Sequence, residues 1–225
     1  MMSQALISVD EARIRLFGLA SPVASESVPV RQAAGRWAAA DIVALRTQPA
    51  VDLSAMDGYA IRFADLPGPF TRIGESAAGR SFDGSMGEGE TVRIFTGAAV
   101  PAGADTILVQ EEATVEGNLV RLSGAGPATH GRNVRRKGLD FSAGDVLVGQ
   151  GDRLTPARLA VAATGGHGTL PVNRRLRVAV VATGDELVAP GAALTNDSLP
   201  ESNGAMLEAM LADMPVDIVD RKSVV

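Results

Sequence analysis

The chain has 225 residues, 46% of them hydrophobic, and a formal net charge of −5; this length suits one large domain or two to three small ones with a real core. The acidic balance argues against general nucleic-acid affinity, and 4% aromatic residues leave no stacking platform for single strands. With no cysteine and only two histidines, His130 and His167, the sequence excludes disulfides, thiolate metal sites and a cysteine nucleophile.

Both histidines lack partner spacing for a metal or a triad and read as structural, so any metal would rest on oxygen ligands, which favours Mg²⁺. The sequence has neither an apolar run of membrane-spanning length nor a signal pattern. The expectation is a soluble cytoplasmic protein with no membrane or nucleic-acid partner.

In chain order, Ser8-Val9-Asp10-Glu11 has the form of a capping box, with Ser8 as N-cap, and predicts a helix over 9–17 stopped at Gly18. Val28-Pro29-Val30 reads as extended, and 32–37 as a helical turn around Gly35. From 59 to about 150, short β-like runs at 59–62, 91–95, 106–109, 118–122 and 146–148 alternate with Gly-rich turns, which suits a small β-rich domain. Thr155 then caps a second helix with Pro156 at its first position, ended by Gly165-Gly166. A helix before the β region and another after it predict an insertion: a helical linker domain of 1–45 and 144–174 interrupted by a β-rich domain of 46–143.

The run 176–182 is nearly all apolar and rich in valine, as in a parallel strand buried on both faces. A helix capped by Ser202 or Asn203 and carrying Met206, Leu207, Met210 and Leu211 follows, then a strand from Val216. Residues 175–225 thus read as the start of an α/β domain, too short to cover its own sheet, and the expectation is that they belong to a longer protein. The fold class predicted is mixed α/β and multi-domain.

Four polar stretches could carry chemistry. Asp52-Leu53-Ser54-Ala55-Met56-Asp57-Gly58 places two carboxylates and a hydroxyl at the mouth of a strand, and also suits a plain Asx or Ser turn. The junction of Thr96 and Gly97 after a strand could cradle an oxyanion on main-chain N–H groups, or be an ordinary connection. Arg132, Arg135, Arg136 and Lys137 form a local basic cluster suited to phosphate or oxyanion, or a solvated charge run; Asp140 at its end could hold an arginine or a metal. Asp185 and Glu186 follow the valine-rich strand, where open α/β sheets place ligands, and could offer Mg²⁺ two oxygens or form a Gly-Asp turn.

Taken together and in this order, the sequence resembles the N-terminal half of the MoeA/gephyrin family of molybdopterin molybdenumtransferases. The carriers are DLSAMDGYA (52–60), RIFTGAAVPAGAD (93–105) with QEE (110–112), GRNVRRKGLDFSAGD (131–145), GDRLTPARLAVAATGG (151–166) and VAVVATGDELVAPG (178–191) with ESN (201–203). The resemblance implies a helical linker domain with a β-rich insertion, then an incomplete three-layer α/β domain of the molybdopterin-binding type. A further β domain of the family has no counterpart in this sequence. It also implies a homodimer that uses Mg²⁺ to insert molybdate into adenylylated molybdopterin with release of AMP, at a cleft shared between two subunits, and dealings with other molybdenum cofactor biosynthesis enzymes.

Carried over by motif, Asp57, Asp140 and Glu186 are the expected catalytic residues. Ser54, Thr96, Gly97, Arg135 and Arg136 are the expected substrate or anion ligands, and Glu186 with Asp185 the expected metal ligands. The alternative for this sequence is a truncated, non-catalytic module that dimerises or scaffolds and binds an anion or a partner protein.

Overall fold

The structure, a computed structural model, describes residues 7–21 and 23–224. The ends of the expected first and last domains, residues 1–6 and 225, lie outside them. Two compact units result. One takes the described residues of Met1–Ile42, Val146–Ala163 and His167–Val225; the other is Val43–Asp145 with Thr164–Gly166.

In the first unit the helix Val9–Gly18 begins as the capping box dictates. The Ser8 side chain accepts a hydrogen bond from the Glu11 N–H at 3.2 Å, filling one of the donors that a helix start leaves open. None of its residues is buried; Val9, Ile14, Leu16 and Phe17 all face outward. Ser25–Pro29 pairs antiparallel with Thr169–Asn173. Over this ribbon packs a core of Ala33, Ala38, Ile42, Val148, Leu154, Ala162, Leu170 and Val172. Arg36, 6% exposed, pairs with Glu26 and donates to the Asn173 carbonyl at 2.6 Å, so it joins both strands of the ribbon. The helical turn expected over 32–37 lies earlier, as a 3₁₀ turn at Val30–Gln32, and Gly35 instead takes a left-handed turn at φ 73°.

The second helix, Pro156–Thr164, starts after Thr155 as anticipated. Leu176–Thr183 and Val216–Val224 form a parallel pair joined through the helix Asn203–Leu211. The expected burial of both strand faces does not hold among the described residues. Leu176 and Val181 are exposed and Val180 is the buried member, because one neighbouring strand and one helix cannot cover two faces.

The second unit is built on a six-stranded sheet whose order, edge to edge, is Thr106–Val109, Gly58–Ile61, Glu90–Ile94, Phe70–Ser76, Leu119–Leu122 and Ala113–Glu116. All pairs are antiparallel except Phe70–Ser76 with Glu90–Ile94. Both faces carry apolar cores, as strand alternation requires. Ala60, Val92, Ile94 and Ile107 pack with Met86 and Ala98 on one side; Tyr59, Ile61, Phe70, Leu108 and Val120 pack on the other. The chain enters and leaves this unit side by side, with Ala44 N–H donating to the Asp145 carbonyl at 2.8 Å and Gly144 N–H to the Ala44 carbonyl at 2.9 Å.

At Gly58 a side chain cannot exist: a Cβ there would lie 2.0 Å from the Leu108 carbonyl oxygen. No helix among the described residues is long and apolar enough to cross a membrane. Phe70→Ala removes a fully buried ring from the second apolar face and is expected to lower unfolding free energy by about 3–5 kcal/mol, read from urea denaturation.

Candidate functional site

Three of the four polar stretches converge in the second unit through the main chain of Ser54. Leu53–Ser54 pairs antiparallel with Val134–Arg135. The Ser54 N–H donates to the Ala98 carbonyl at 2.9 Å, and the Ser54 carbonyl accepts from Gly97 N–H at 2.8 Å. Asp52 adds a carbonyl accepting from Val100 N–H, and Ala55 an N–H donating to the Asn133 carbonyl. Residues 52–60, 93–105 and 131–140 are therefore one structure.

Asp57 is the anchored acid of this corner. Its Oδ1 accepts both the Thr96 N–H at 2.7 Å and the Thr96 hydroxyl at 2.8 Å. Its carboxyl is held below the ordinary range chiefly by that N–H, then by the hydroxyl, with the charge of Arg93 adding a smaller pull. The other oxygen, Oδ2, has no hydrogen-bond partner among the described residues.

The basic turn is tied down in the same manner. Arg136 Nη1 donates to Asp52 Oδ2 at 2.7 Å and the Lys137 N–H to Asp52 Oδ1 at 2.8 Å, so Asp52 is also held below its ordinary value, first by the N–H. Gly131, at φ 79°, leaves room for the Arg136 guanidinium, which would sit 2.7 Å from any Cβ there. Arg135 Nη2 reaches both oxygens of Asp140 at 3.0 and 3.1 Å. Arg132 and Lys137 are exposed, and their side chains meet no acid among the described residues.

Two expectations require correction. Ser54 is 1% exposed and its hydroxyl donates to the Met56 carbonyl at 2.5 Å, so it shapes the loop and cannot reach a ligand. The Thr96–Gly97 junction offers no oxyanion cradle either. The N–H groups of Thr96, Gly97 and Ala98 are spent on Asp57, the Ser54 carbonyl and the Phe95 carbonyl.

Asp52, Arg93 and Gln110 lie outside the expected catalytic, anion and metal ligands; the sequence reading includes Asp52 only as one of the two carboxylates of its loop. Arg93 lies over the rings of Tyr59 and Phe95, its Cζ 5.1 and 4.9 Å from their centroids, and donates to Gly58 and Gln110. The i, i+2 spacing of Arg93 and Phe95 in a strand was the available signal.

In the first unit, Asp185 and Glu186 sit in the turn after Leu176–Thr183, exposed, with neither carboxylate used in a hydrogen bond among the described residues. A Cβ on Gly184 would lie 2.7 Å from both Glu186 carboxylate oxygens, so glycine is what lets that group fold back over the main chain. The parallel bridge of Leu187–Val188 with Leu199–Pro200 brings this turn beside Glu201. Glu201, not the expected Ser202 or Asn203 side chain, caps the following helix by accepting from Gly204 N–H at 2.7 Å. No group of three or more His, Asp or Glu side chains is gathered closely enough to hold a metal among the described residues.

Residues 7–166 match the family described as the MoeA N-terminal region, domains I and II. The chain belongs to the MoeA family. It is 34% identical over 218 residues to the molybdopterin molybdenumtransferase of Haemophilus influenzae, covering 96% of this chain and 54% of that protein. To molybdopterin molybdenumtransferase 2 of Mycobacterium tuberculosis it is 39% identical over 200 residues, covering 86% of this chain and 49% of the relative. Among solved structures, the molybdopterin biosynthesis MoeA protein from Pyrococcus horikoshii superposes with a TM-score of 0.79 at 28% identity, over 89% of this chain and 55% of that one. The chain thus spans about half the length of the curated MoeA relatives it matches.

Thr96→Val keeps the N–H on Asp57 but removes the hydroxyl, and is expected to raise the Asp57 pKa, read by NMR titration of its carboxyl carbon. For Asp52, whose folded pKa is depressed, the stabilisation from its charge is full above the ordinary value of 3.8 and is lost as pH falls through the lower folded value. Asp52→Asn should therefore lower the urea midpoint at pH 7, and the gap from the parent should close as pH drops below 3.8.

Proposed function

We propose that the full-length protein inserts molybdenum from molybdate into adenylylated molybdopterin with release of AMP, as part of molybdenum cofactor biosynthesis in the cytoplasm. The observation that carries this reading is the convergence of three distant stretches on a corner where an ionised Asp57, fixed by Thr96, lies on the same framework as the Arg132–Lys137 turn. Fixed charges need no reorganisation during reaction, which is where most electrostatic stabilisation originates.

Each group has a role in this proposal. Arg132 and Lys137, whose side chains pair with no acid among the described residues, draw in the molybdate or phosphate oxyanion. Arg135 and Arg136 present their remaining N–H groups in directions set by Asp140 and Asp52, so that a tetrahedral oxyanion is gripped in one orientation. Asp57 directs Oδ2 toward water or toward the incoming metal-oxo group and accepts a proton there. Glu186 and Asp185 hold Mg²⁺; two exposed, uncommitted carboxylates suit an ion that takes one or two such ligands and keeps water and phosphate oxygens for the rest. When bound, Mg²⁺ neutralises charge on the phosphate oxygens.

The working form in this proposal is a homodimer in which the Asp57 corner of one copy serves the Glu186 turn of the other. The outward-facing apolar side chains of the helix Val9–Gly18 support self-association. Other cofactor-biosynthesis enzymes would then supply the adenylylated pterin and collect the product.

In the full-length protein, Asp57→Asn and Glu186→Gln are each expected to lower molybdenum insertion by about 100-fold or more, with circular dichroism unchanged. AMP formation should fall in parallel, and chelation of Mg²⁺ should abolish it in the parent. Full activity in both variants would sink the site assignment.

A further inference from the structure

We propose that Arg93 is the positioning residue of the Asp57 corner, and that the integrity of its guanidinium fork sets turnover without contributing to substrate affinity; this rests on the function proposed above. The geometry makes one side chain hold three chain segments that would otherwise splay. Arg93 sits in the Glu90–Ile94 strand, paired with Tyr59 on one side and Glu75 on the other. Its Nη1 donates to the Gly58 carbonyl at 3.1 Å, one residue after Asp57. Its Nη2 donates to Gln110 Oε1 at 2.6 Å, and the Gln110 N–H in turn donates to the Asp57 carbonyl at 3.1 Å. Three residues further along the chain, past the end of the strand, stands Thr96, which grips the Asp57 carboxylate.

Asp57 is consequently fixed at its carbonyl, at its carboxylate and through its neighbour; the Arg93 side chain joins the carbonyl and neighbour attachments, and the short chain from 93 to 96 leads to the third. The guanidinium also lies over the rings of Tyr59 and Phe95, its Cζ 5.1 and 4.9 Å from their centroids. A lysine at this position keeps the charge but brings one nitrogen in place of two, so it cannot reproduce the fork whose Nη1 and Nη2 reach Gly58 and Gln110 separately. Fork and charge are therefore separable by substitution.

The test uses the full-length protein, with molybdenum insertion and amide hydrogen exchange read on the same samples. Arg93→Lys is expected to lower kcat by about tenfold or more, with KM within twofold and the acid limb of the pH profile unmoved. Arg93→Met should lose at least as much and also shift that limb to higher pH, because Asp57 loses a neighbouring positive charge. Gln110→Leu, at an exposed site, should give a smaller kcat loss of the same kind. In all three, the Thr96 and Gln110 amides should exchange faster while those of the Phe70–Ser76 strand stay protected.

Parent-like kcat in both Arg93→Lys and Gln110→Leu overturns the proposal, as does a loss carried equally by KM or by global loss of protection. Asp57→Asn in parallel separates the two readings. Should that variant remain fully active, the catalytic reading fails, and amide exchange at Thr96 and Gln110 alone decides whether Arg93 holds the corner.

Discussion

The candidate site of the β unit depends on one main-chain junction, Ser54. Its N–H and carbonyl are both given to the turn after the Glu90–Ile94 strand, while the two-residue ladder at 53–54 faces Val134–Arg135. Remove that junction and Asp52, Asp57, Thr96 and the basic turn become unrelated surface groups. With it, they form a charged corner whose members are mostly fixed by other members: Asp57 by Thr96, Arg136 by Asp52, Arg135 by Asp140. The burial of Ser54 follows from the same fact, since a residue that spends its main chain and its hydroxyl on neighbours has nothing left to offer a ligand.

Such a corner is polar and half open to solvent, so its individual ion pairs contribute little to stability. Their value is directional. An arginine whose fork is already engaged on one edge presents its other edge in a defined direction, and a carboxylate bound at one oxygen presents the other. Charge sign attracts an anion; the hydrogen-bond pattern decides how it lies.

Much of this was legible in the sequence where local chemistry decides. The Ser8 and Glu11 capping pair, Thr155 before Pro156, and the β runs at 59–62, 91–95, 106–109 and 146–148 all appear within a residue or two of their expected places. The motifs at 52–60, 93–105 and 131–140 were also visible as polar islands. What was hidden depends on partners far along the chain. Phe70–Ser76 is the longest strand of the six-stranded sheet, yet Gly74 in its middle reads as punctuation; the structure shows that this glycine is there because the Phe82 ring lies 2.4 Å from where a Cβ would be. Ser25–Pro29 has no apolar pattern and is a strand because Thr169–Asn173 pairs with it. The valine-rich 176–183 run leads to an expectation of burial on both faces that does not hold, because one paired strand and one helix leave Leu176 and Val181 exposed. The uses of Gly97 and Ser54 were misjudged for one reason: composition shows which donors exist and is silent on which are already taken.

The side-by-side passage of the chain at Ala44 and Gly144–Asp145 brings the two ends of the β unit's main segment together. Two hydrogen-bonded strands presented to the host fold are topologically equivalent to a hairpin, so the host meets a short connection whatever is hung from it. The entropic burden of such a loop grows only with the logarithm of its length, and here that burden is relieved once the guest has folded on its own core. A module attached in this way can be exchanged, enlarged or reshaped at its far rim while the scaffold that carries it is left undisturbed.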